Sequence, residues 1–189
     1  MATFTKTAGT AVTGSTANDL IIVGSGADAL VGAISGLAGT DELRFTSAVG
    51  GNSLDLTAIA VTGIETIVIG TGTATAAITT ATTALDVDAS TVGNALSITG
   101  NAGANSIWAT AYADTITGGG GADSIYAGAG NDSILIASSA DHAAGADPQV
   151  VLELVVVPGL HHARVGEGEV GLPEAAVERL VGPQQPGLV

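Results

Sequence analysis

Apolar residues recur at a fixed interval of nine along part of this chain: Ile98, Ile107, Ile116, Ile125 and Ile134. From Gly100 four successive units read GNAGANSIW, ATAYADTIT, GGGGADSIY and AGAGNDSIL. Their eighth positions are the last four of these isoleucines, and their sixth positions hold Asn105, Asp114, Asp123 and Asp132. The preceding unit, TVGNALSIT, keeps the apolar position but carries Leu96 where the acid belongs. The same register opens the chain. GSTANDLII and VGSGADALV supply Asp19 and Asp28 with Ile21 and Leu30, and GLAGTDELR, after a four-residue insertion, supplies Asp41 and Leu43.

A repeat of this kind predicts stacked supersecondary units that bury one continuous core. Each unit divides into a six-residue turn and a three-residue strand. Glycine lets the turn take positive backbone dihedrals and aim its carbonyl oxygens inward, and the middle residue of the strand enters the core. Two units complete one coil, which places Ile107 under Ile125 and Ile116 under Ile134. By the same spacing Asn105 lines up with Asp123, and Asp114 with Asp132. The expected fold is all-β, a parallel β-roll or β-solenoid with short stacked strands, Gly-Asp turns and an irregular C-terminal tail.

Between the two blocks the Gly-Asp turn disappears, but alternation of apolar and polar residues persists over 53–59, 63–69 and 84–89, as in half-buried strands. Four segments result: partial repeats over 1–44, irregular solenoid coils over 45–90, regular repeats over 91–140 and a tail over 141–189. In the tail Asp141 is in phase for one more unit, but glycine is missing and Ala143 stands at the apolar position. Residues 172–181 read as a short helix, with Pro173 in its first turn and Gly182-Pro183 ending it. The tail admits three readings: a secretion signal, a disordered linker, or the product of a shifted reading frame.

Composition agrees with a solenoid, since the apolar residues are mostly Ala, Val, Ile and Leu and only 3% of the chain is aromatic. The formal net charge is −14, and Lys6 and Arg44 are the only bases before residue 164. No cluster of Lys or Arg is present to replace the counterions of phosphates, which excludes nucleic acid as a partner. It argues equally against anionic membranes, and no apolar run approaches transmembrane length. Cysteine is absent, so a metal ion is the available staple for a small-residue fold. Residues 1–10 show no charged segment followed by an apolar one, so no cleavable export signal is expected there.

Stacked carboxylates about one strand spacing (~5 Å) apart repel unless a cation lies between them. Calcium suits such a place, because it accepts six to eight hard oxygen ligands, backbone carbonyls included, in flexible geometry. The candidate ligands are Asn105, Asp114, Gly118, Gly119, Gly121, Asp123, Gly128, Gly130 and Asp132, with Asp28 in the first block. Asp19, Asp28 and Asp41 also admit a plain reading, in which the acid only bonds its own turn. Asp86, Asp88 and Ser90 open like an EF-hand, but the loop glycine is missing and position twelve is Ser97, so that reading is rejected. His161 and His162 are adjacent and diverge, with no metalloprotease pattern around them. No nucleophile elbow, phosphate loop or dinucleotide fingerprint occurs, so the expectation is a non-enzyme.

The run GGGGADSIYAGAGNDSIL resembles the RTX, or hemolysin-type, calcium-binding repeat family, and residues 118–126 match the pattern G-G-x-G-x-D-x-U-x at every defined position. The Ala- and Thr-rich strands around it resemble S-layer and related surface proteins. The resemblance implies calcium between turns of a parallel β-roll, type I secretion, folding outside the cell, and a structural or adhesive role with a cell-surface or self-assembly partner. Residues 109–113 lack every turn glycine and Asn105 replaces the acid, so one or two good calcium sites are expected. Two alternatives stand beside this: the secretion module of a larger secreted enzyme, and a metal-independent solenoid that binds a flat surface.

Overall fold

The computed structural model describes residues 1–25, 31–73, 76–136, 142–144, 151–154 and 164–165, in which every element is a β-strand. Asp28, Asp141, His161, His162 and the helix expected over 172–181 lie outside the described residues.

Almost every described strand pairs in parallel with one a full coil away. The largest sheet runs β1 (Ala2–Lys6), β3 (Asp19–Val23), β5 (Glu42–Phe45), β8 (Thr66–Ile69), β10 (Ser97–Thr99), β12 (Thr115–Thr117), β14 (Ser133–Ile136) and β16 (Val151–Leu154). A six-stranded sheet runs β6 (Asn52–Asp55), β9 (Leu85–Asp88), β11 (Ser106–Trp108), β13 (Ser124–Tyr126), β15 (His142–Ala144) and β17 (Arg164–Val165). A short third sheet joins β2 (Val12–Thr13), β4 (Ile34–Ser35) and β7 (Val61–Thr62).

The repeat sets this register. Ile98 lies opposite Ile116, Ile116 opposite Ile134, and Ile107 opposite Ile125, so one coil takes eighteen residues and two units. Where the repeat is interrupted the coils lengthen: Ile21 lies opposite Leu43, Leu43 opposite Ile67, and Ile67 opposite Ile98. The added residues loop out while the strands stay in line, because parallel pairing fixes the strand register and leaves the connection free.

The core is a set of aliphatic columns. Ile21, Leu43, Ile67, Ile98, Ile116 and Ile134 come from the first sheet, Leu54, Val87, Ile107 and Ile125 from the second, Ile34 and Val61 from the third, all in one buried cluster. Phe45 is the one fully buried ring; Trp108, Tyr112 and Tyr126 stand exposed.

Three strands lie beyond residue 140, where the sequence shows no repeat: β15, β16 and β17 extend both large sheets. The absent glycine and the alanine at position 143 hid them, since a solenoid edge accepts any backbone that can extend. No helix of the described residues is long and apolar enough to cross a membrane.

Candidate metal-binding turns and the carboxylate ladder

Four nonapeptide turns stack in two columns. One holds the turns ending in Asn105 and Asp123, the other those ending in Asp114 and Asp132. The glycines are what let the coils close up. Gly119 (φ 101°) and Gly121 (φ 99°) lie in the left-handed region, as do Gly128 (φ 88°) and Gly130 (φ 119°) in the other column. A β-carbon on Gly121 would stand 2.6 Å from Gly103 O, and one on Gly130 2.6 Å from Tyr112 O. On Gly119 it would press on Asn101 O, on Gly128 on Thr110 O, and on Gly118 on Asp123 Oδ2. Each column therefore brings backbone carbonyls of one coil against the bare α-carbons of the next, beside a carboxylate.

The carboxylates have a second partner that spacing did not reveal. Asp114 N donates to Asp132 Oδ1 (2.9 Å), Asn105 N to Asp123 Oδ1 (2.8 Å) and Leu96 N to Asp114 Oδ1 (2.7 Å). Each stacked acid therefore accepts an amide of the earlier coil, a contact that adds to whatever a cation between the turns would supply. Asn105 is the informative exception. The coil beneath it offers a carbonyl instead of an amide, and Asn105 Nδ2 donates to Leu85 O (2.7 Å), which a carboxylate cannot do.

Position two of the unit comes in two kinds. Where it is Gly119 or Gly128 the backbone is left-handed. Where it is Asn101 or Thr110, the amide donates back to position six: Asn101 N to Asn105 Oδ1 (3.1 Å) and Thr110 N to Asp114 Oδ2 (2.8 Å). Thr110 Oγ1 adds a bond to the same oxygen at 2.8 Å. Ser15 and Asp19 repeat this arrangement in the first block, through both the amide and the hydroxyl. The signal was present in sequence, as Ser, Asn or Thr four residues before the acid, but it reads as loss of a glycine. Leu37 occupies the same position and is the one non-glycine residue with positive φ among the described residues (76°).

The ladder continues through the first block. Ala2 N donates to Asp19 Oδ1 (3.1 Å), Asp19 N to Asp41 Oδ1 (2.7 Å) and Asp41 N to Glu65 Oε2 (2.8 Å). The Ser15 amide holds the Asp19 carboxyl below the ordinary aspartate value of 3.8. Burial pushes Asp41 the other way, with the charges of Glu65 and Asp19 adding to it. Asp41 Oδ2 is buried without a hydrogen-bond partner and, with Gly63 O, crowds the face of Gly36.

Two opposite pH dependences result by linkage. The stability Asp19 contributes is present above pH 3.8 and is lost as pH falls through its lower folded value. The stability Asp41 contributes is present below pH 3.8 and is lost as pH rises through its higher folded value. Asp41→Asn, which removes the buried charge and supplies a donor toward Gly63 O, is expected to stabilise the protein at pH 7 by about 1 kcal/mol or more. The gain should shrink toward pH 3.5, as read from urea unfolding midpoints; destabilisation at both pH values would exclude this account.

The donors in the two columns fit calcium in type, being hard oxygens of Asp123, Asp132, Asn105 and turn carbonyls. Among the described residues no three His, Cys, Asp or Glu side chains converge as a metal cluster, so carbonyls would supply most of the ligands. Asp114 is largely committed to amides and a hydroxyl.

Residues 11–44 and 99–134 match the family model for the RTX calcium-binding nonapeptide repeat, in four copies. No curated protein and no solved structure matches this chain. The described residues of both blocks lie within the parallel roll, so the repeats that match this family model are coils of the solenoid.

Proposed function

We propose that these RTX repeats serve as the calcium-dependent part of an extracellular or cell-surface β-roll protein, with a structural or adhesive role rather than a catalytic one. The observation that carries this reading is the close approach of turn carbonyls, bare glycine α-carbons and an acid in both columns. Asp123 with Asn105, Gly118, Gly119 and Gly121 would hold one ion, and Asp132 with Gly128 and Gly130 a second. Asp114 contributes mainly through the amides it caps. A bound ion would supply positive charge among these oxygens and tie consecutive coils together. Asp28 belongs to the proposal on its repeat position alone.

Absence of cysteine supports export before complete folding, by a type I route, and an affinity in the range of extracellular modules, about 10⁻⁴–10⁻³ M, is expected. Membership in a longer secreted enzyme would use the same repeats. A metal-independent scaffold is favoured by one observation: the amide bridges that already join Asp114 to Asp132 and Asn105 to Asp123.

Circular dichroism and thermal unfolding of the full chain during a calcium titration, with magnesium as control, separate these readings. A cooperative gain of β signal with calcium alone is expected, added to a fraction of β structure already present in chelator. Identical spectra and midpoints in chelator and in millimolar calcium would sink the calcium reading in favour of the scaffold.

A further inference from the structure

The chain has one Trp and two Tyr, and none enters the core: Trp108, Tyr112 and Tyr126 are 37%, 48% and 43% exposed. Trp108 and Tyr126 face each other across β11 and β13, with ring centroids 5.1 Å apart and planes 6° from parallel. That separation is close to the strand spacing of about 4.8 Å, so the rings stand on edge and point their faces along the axis of the roll. Tyr126 covers one face of Trp108. On the other side, in the same outward row, come Asp88 of β9 and Asp55 of β6.

These two acids are held alike. Asp55 Oδ1 accepts from Thr57 N (2.9 Å) and Oγ1 (2.6 Å), and Asp88 Oδ1 accepts from Ser90 N (3.1 Å) and Oγ (2.6 Å). Both are only partly buried, as is Asp86. Lys6 and Arg44 are buried elsewhere.

We propose that the outer face of the six-stranded sheet is a docking site for an arginine- or lysine-bearing segment of a partner protein, with the cationic group over the free side of Trp108 and against Asp88 and Asp55. An indole face attracts a cation, more so beside a carboxylate, and a chain of net charge −14 draws basic segments toward it. The edge-on rings select against a sugar chain laid flat on the sheet, which would meet ring edges instead of a broad aromatic face.

Trp108 is the single tryptophan and therefore its own reporter. Titration of the full chain, in calcium, with a hexa-arginine peptide is expected to shift Trp108 fluorescence and to weaken as salt is raised. Asp88→Asn keeps the cap on Ser90, and Trp108→Leu keeps an apolar strand residue; each should weaken peptide binding about tenfold, measured by calorimetry, with unfolding midpoints unchanged. Equal binding by both variants would reduce the effect to the overall charge of the chain and overturn the proposal. A stronger response to a neutral glucan oligosaccharide than to the peptide would overturn it in favour of a sugar.

Discussion

Gly128→Ala is expected to destabilise the roll by about 2–5 kcal/mol. The residue has φ 88°, and an L side chain in the left-handed region costs about 1–2 kcal/mol. Its β-carbon would also press on Thr110 O of the neighbouring coil. Backbone cannot rotate away as a side chain can, so the coils must separate locally, at about 1–3 kcal/mol. Gly93→Ala is the internal control, since a β-carbon there meets nothing within 4 Å. Urea unfolding of both variants, in chelator and in calcium, provides the measurement. The calcium midpoint of the Gly128 variant should rise as well, because parting the coils moves Thr110 O and Asp132 relative to each other. A loss under 0.5 kcal/mol would mean that these turns are looser than their carbonyl contacts imply.

Asp114→Ala is expected to cost about 2–6 kcal/mol even in chelator. Two buried amides, Leu96 N and Thr110 N, lose their acceptor, at about 1–3 kcal/mol for each buried group left unsatisfied. This separates the two roles a repeat acid can have. If Asp114 acted only as a calcium ligand, chelator would already have removed its contribution, and the variant would match the parent protein there. Asp114→Asn, which keeps a side-chain carbonyl for one amide, should recover part of the loss.

The fold was legible in the sequence wherever the interval of nine held. Ile98 through Ile134 fixed the eighteen-residue coil, the strand centres and the two columns of acids, because one buried residue per strand is all the stack requires. The lengthened coils from Ile21 to Ile98 were not legible in their pairing. Their strands appeared as alternating patches, but the partner of each depends on how much chain the connecting loop absorbs, and loop length leaves no periodic mark. The third sheet, only two residues deep per strand, fell below any pattern. At the candidate site the glycines and acids were found by position. The amide bonds were not, because an acid one coil away meets a backbone group, and backbone groups carry no sequence signature. Asn105 looked like a degenerate acid, and its Nδ2 donates to Leu85 O.

Six of the amide-to-acid bonds between coils run one way, and one, from Ser106 N back to Asp86 Oδ1, runs the other. In all six, from Ala2 N with Asp19 to Asp114 N with Asp132, the amide belongs to the earlier coil and the acid to the later one. The two ends of the stack are therefore not equivalent. Cutting coils from the front leaves carboxylates bare, which water can serve; cutting them from the back leaves buried amides bare on the coil that becomes last. A chain that emerges front end first carries, at every moment, a newest coil whose ladder amide finds its acceptor on the next coil to arrive.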